Sequence, residues 1–139
     1  MNMAKRFWTT ALGMAAAALA FAPALAHHSY SMFDGQTTVT LEGTVAEFQW
    51  VNPHAWIFMD VPGEDGEMVR WALELPSPGG LARNGWRPRS LTPGMQITAT
   101  AHPLKDGHNG GGGLSVTLAD GTMLSATTNN VTRSDEDAQ

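Results

Sequence analysis

The stretch TTVTLEGTVAEFQWV, residues 37–51, decides how the chain is read. Val39, Leu41 and Val45 alternate with polar residues, the period-two signature of a half-buried strand. The phase then slips, because Phe48 and Trp50 carry the apolar face at the far end. Gly43 lies inside the run. A glycine and a phase change within one long strand predict a bulge or sharp bend. A long, bent first strand suits a small closed barrel.

Working outward, Asn52-Pro53 marks a turn. HAWIFMDV, residues 54–61, reads as a second strand, apolar on both faces and therefore central. PGEDGE, residues 62–67, is a polar hairpin loop. MVRWALEL, residues 68–75, alternates cleanly and points Val69, Trp71, Leu73 and Leu75 inward. Trp71 is expected to be a core residue. In SPGGLARNGW, residues 77–86, Ser77 and Pro78 suit the cap and first residue of a short helix, and Gly85 suits its end. Pro93-Gly94 makes a turn into a fourth strand with Met95, Ile97, Ala99 and Ala101 inward and Thr98, Thr100 and His102 outward. KDGHNGGGG, residues 105–113, reads as a flexible loop. The segments around Asp120-Gly121 predict a two-residue hairpin. Three strands, a short helix and further strands is the order of the OB-fold, a five-stranded barrel. The expected class is all-β, a small OB-like β-barrel of five to six strands and one short helix; another small barrel or a sandwich is the competitor.

The ends read differently. Lys5 and Arg6, the apolar run 11–22 and the small residues of Ala24-Leu25-Ala26 form a secretory signal pattern. The run is short of the roughly 20 apolar residues of a membrane span. Residues 1–26 are therefore expected to be a cleaved signal peptide, with a cut after Ala24 as the competitor. The expected location is the periplasm or outside the cell. The remaining divisions are a lead-in at 27–36, the barrel at 37–128 and an acidic, disordered tail at 129–139. Loss of Lys5 and Arg6 leaves a net charge of about −7. That balance argues against nucleic acid and anionic lipid, which need clustered cations. The chain has no cysteine. Disulfides, lipid attachment after the signal, thiolate metal sites and cysteine nucleophiles are excluded together.

HHSYSMFD, LEGTVAEFQWVNPHAW, LARNGW, LTPG and AHPLKDG resemble a family of small exported proteins of Gram-negative bacteria, a domain of unknown function. The resemblance runs from about His27 to Gly121. It implies export and a small β-rich fold. It implies no catalytic residue.

The chemistry must come from the residues. His54 opens the second strand and His102 closes the fourth; in an OB-like barrel the two adjoining loops lie at one end, beside Trp50 and Trp56. Either histidine alone reads equally as a structural residue. Cleavage after Ala26 adds another element. His27 would then offer its α-amine and ring Nδ1 to one ion, and an imidazole from His54 or His102 would complete a three-nitrogen set. Such nitrogen-rich ligation suits Cu(II). His28, in second place, offers an alternative chelate with the amine and the intervening amide. HHS as a plain solvated start is the competing reading. The methionines read better as core than as Cu(I) ligands. There is no G-x-S-x-G elbow, phosphate loop or zinc-protease pattern. The expectation is a non-enzymatic carrier, buffer or accessory that binds copper(II) through His27, His28, His54 and His102. The alternative is a metal-free module for a small molecule, peptide or envelope protein. Residues 27–34 are expected to be mobile without ligand and ordered with it, with Tyr30 and Phe33 the only apolar handles that could dock them.

Overall fold

The computed structural model describes residues 30–127. The expected signal peptide, His27, His28 and the tail from residue 128 lie outside the described residues. After a 3-10 turn at Tyr30–Met32, the strands are β1 Val39–Gln49, β2 Trp56–Pro62 and β3 Met68–Glu74. A helix, α1 Pro78–Arg83, precedes β4 Gln96–Pro103, β5 Gly110–Leu118 and the short β6 Met123–Ser125.

The strands run β3-β2-β1-β4-β5-β6 across the sheet, and a parallel pairing of β3 with β5 closes the first five into a barrel. This is the OB-like order expected from the sequence. The first half of β1 pairs with β4 and the second half with β2. The β1–β2 register shifts between Val45 and Glu47, so the phase slip is a β-bulge. It keeps Leu41 and Val45 buried while turning Phe48 and Trp50 onto the same core. At Gly43 a Cβ would run into the Asp60 carbonyl oxygen, so the absent side chain lets β2 cross close at the bend.

Helix α1 starts and stops as its sequence dictates. Ser77 Oγ accepts from the Gly80 N–H at 3.3 Å, and proline occupies the first turn, where no donor is needed. At the other end Gly85 takes φ +88°. That conformation lets the Gly85 N–H reach the Ala82 carbonyl and the Trp86 N–H reach the Leu81 carbonyl, closing the last turn.

Four expectations need correction. The glycine-rich stretch is not all loop: from Gly110 onward it is β5, wedged between β3 and β4 where the barrel closes. The Asp120-Gly121 hairpin has three loop residues, since the Leu118 N–H donates to the Thr122 carbonyl and Gly121 sits at φ +86°. Ala119 joins the loop because glycine's left-handed conformation supplies a bulge-type turn. Trp71 is only partly buried against the core, whereas Trp86 is 0% exposed. The alternation placed Trp71 on the correct face but could not show that this end of β3 lies beside the barrel's edge.

The fourth correction concerns the lead-in. Phe33 is 8% exposed and bridges Leu104. Lys105 donates from its backbone to the Met32 carbonyl at 3.0 Å and from Nζ to the Ser31 carbonyl at 2.8 Å. The Asp34 N–H donates to the Pro103 carbonyl at 2.8 Å. The described part of this segment is therefore docked on the barrel, because one buried ring and several backbone bonds offset its ordering entropy. The Thr37 hydroxyl, 2.6 Å from the Asp34 carboxylate, and then the Gln36 N–H hold that carboxyl below its ordinary value. A depressed carboxylate stabilises the turn above its free pKa and loses that contribution as pH falls. Carbon-detected NMR titration should place the Asp34 midpoint below 3.8, with the turn loosening beneath it. A midpoint above that value would show the Thr37 contact to be absent in solution.

Candidate functional site

One row of residues crosses the outer face at the end of the barrel. Gln49 on β1 faces Trp56 on β2, and Trp56 faces Glu74 on β3. Glu74 is then level with Gly112 on β5, and Gly112 with His102 on β4. Laterally paired residues share a face of a sheet, and the inward neighbours Leu73, Leu75 and Ala101 are buried, so Glu74 and His102 point outward. Two strand spacings separate their backbones, about 10 Å.

Gly112 forms the floor between them. A Cβ there would lie 3.1 Å from the Phe33 ring, so Phe33 covers the glycine and walls the gap. The result is a cavity of about 500 Å³. Glu74 and His102 flank its floor, Phe33 and Leu75 are apolar walls, and Leu114 and Ala126 border it from β5 and the segment after β6. Leu114 lies in a second register shift, between the Thr100–Ser115 and Ala101–Gly113 pairs.

Both histidines on this side are oriented by oxygen. His102 Nδ1 is 2.7 Å from the Thr37 carbonyl oxygen. A carbonyl only accepts, so Nδ1 carries the hydrogen and Nε2 of the neutral ring is left as the electron-pair donor. His54 Nδ1 pairs with the Glu74 carboxylate, whose side chain is 11% exposed, while the His54 side chain is 35% exposed. Its Nε2 is thus also turned away from its anchoring acid. This carboxylate–histidine arrangement is the one that commonly orients metal-binding imidazoles.

His54 and His102 are thus brought to one barrel end, linked through Glu74 and the cavity, as their strand positions implied. His54 itself does not line the cavity. His108 stands apart on the exposed β4–β5 loop, paired with Asp106 at 3.0 Å. Trp56 stacks on Phe58 across the outer face of β2, with ring centroids 6.3 Å apart. Trp50 packs edge-on to Phe48, toward the core and away from this row. Sequence reasoning missed Glu74. The signal for Glu74 was present, since it is the one charged residue on the outward phase near the end of a strand whose other phase is apolar.

Among the described residues, no cluster of three or more His, Asp or Glu side chains is close enough to hold a metal ion. Among them, no helix is long and apolar enough to cross a membrane. No curated protein and no solved structure matches the chain. Residues 15–114 match DUF6152, a family of unknown function, and the chain belongs to that family.

Proposed function

We propose that the protein is an exported, non-catalytic β-barrel that binds Cu(II), in a carrier, buffer or accessory role. The ligands are the amine and imidazole of His27, freed by signal cleavage, and the Nε2 of His102. His28 offers the competing chelate through the second-position amide. His54, with Glu74 behind it, stands at the edge of the same site. The observation that supports this most is the His102–Thr37 bond, which engages Nδ1 and leaves Nε2 free on a residue that lines the cavity. The docked Phe33 supports it further. Tyr30 lies three positions after His27, a span of at most about 11 Å, so the amine is tethered to the lead-in that walls the cavity.

Cu(II) titration of the protein beginning at His27 should be compared with a form carrying one added Met. The added residue should weaken binding tenfold or more while leaving every imidazole in place. His102→Ala should do the same with an unchanged circular dichroism spectrum. Affinity should fall as pH drops through 6, because imidazole and amine must be deprotonated to bind. Equal affinity in all three forms would rule out the terminal chelate.

The cavity favours a second reading, a metal-free site for a small molecule. Its volume is within the usual range for ligand pockets and most of its walls are apolar. Ligand-induced shifts at Phe33 and Leu114 that persist with a chelator present would favour it over copper.

A further inference from the structure

The arginines of this acidic chain are concentrated in one place. Arg83, Arg87 and Arg89 fall within RNGWRPR, residues 83–89, and all three are exposed. Arg87 is held rigidly: its Nη1 donates to the Trp86 carbonyl at 2.7 Å and the Ala82 carbonyl at 3.2 Å, and its N–H donates to Ser90 Oγ at 2.8 Å. Among the described residues, neither Arg83 nor Arg89 pairs with a carboxylate, although the chain carries 13 acids. Arg83 ends α1 and the other two follow within six residues, so the three charges sit on one short segment.

The same segment grips the chain just before the last described residues. Trp86 Nε1 donates to the Ser125 carbonyl at 2.8 Å, and Asn84 Nδ2 donates to the Thr127 carbonyl at 3.0 Å. The chain therefore leaves the barrel beside the arginines. Eight residues later come Asp135, Glu136 and Asp137. Eight residues span at most about 28 Å, more than enough to fold back. We propose that the acidic segment 135–137 docks on the Arg83, Arg87 and Arg89 surface of its own chain and screens it from other anions. Tethering raises the local concentration of the segment to the millimolar range, which favours it over an anion in solution. The contact is between side-chain charges and needs no backbone order.

The chain has no native cysteine, so Ala138→Cys gives a unique point for a spin label. At about 10 mM salt, where the screening length is about 30 Å, the amide signals of residues 83–89 should lose at least half their intensity relative to the acidic hairpin 63–67. At 1 M salt that loss should vanish. Asp135→Asn, Glu136→Gln and Asp137→Asn combined should abolish it at low salt, and Arg89→Gln should reduce it without unfolding the protein. Broadening that survives neutralisation of the tail, or none at low salt, would overturn the proposal. So would broadening in a mixture of isotope-labelled, unspun protein with unlabelled, spin-labelled protein, which would make a second copy the occupant.

Discussion

Trp86→Ala should lower the unfolding free energy by about 3–5 kcal/mol. Trp86 is completely buried, and its ring lies 6.0 Å from that of Phe48, which the β1 bulge turns inward. Its indole N–H also holds the Ser125 carbonyl at 2.8 Å. Truncation would therefore leave a cavity and free β6 from the helix segment at the same time. Small domains are stable by about 5–15 kcal/mol, so the loss is a large fraction of the total. Urea denaturation would measure it. Trp71→Ala should cost clearly less, because Trp71 is only partly buried. Trp86→Phe should cost about 1–2 kcal/mol, mainly for the carbonyl left without its donor. A Trp86→Ala change below about 1 kcal/mol would mean that the ring is not the centre of this core.

Gly111→Ala should destabilise by about 3 kcal/mol. A Cβ at Gly111 would press on the His102 carbonyl oxygen and stand 3.3 Å from the Ala101 methyl. Backbone cannot swing aside as a long side chain can, so β5 would have to leave either β4 or β3. Gly79→Ala makes the informative contrast. It lies in α1 with only the Arg83 guanidinium near, at 4.0 Å, and it should stabilise by about 0.5–1 kcal/mol as alanine restricts the unfolded chain. Two identical substitutions would then have opposite signs. Destabilisation at Gly79 equal to that at Gly111 would show that the barrel closure is not the cause.

The pairing of His54 with Glu74 shows how far the candidate site could be read in advance. The strand order placed His54 and His102 at one end of the barrel. His54 meets Glu74 because the β2–β3 pairing sets Glu74 opposite Trp56, two positions from His54, and that register was not read from the sequence. Likewise, Phe33 was visible as an apolar handle, but its seat is a glycine on a strand 79 positions away.

Sequence alone determined the alternation in β1, β3 and β4, the apolar run of β2, the bulge in β1, the Ser77 cap and Gly85 end of α1, and hence the OB-like order. These are short-range matters: a few neighbouring side chains set a strand's face or a helix's end through backbone sterics and local hydrogen bonds. Tertiary structure alone decided the role of residues 110–113, the burial of Trp86 and the cavity between Glu74 and His102. A glycine carries no side chain to announce a partner. Four in a row read locally as freedom, and only the strands closing on both sides convert that missing volume into the close approach that seals the barrel.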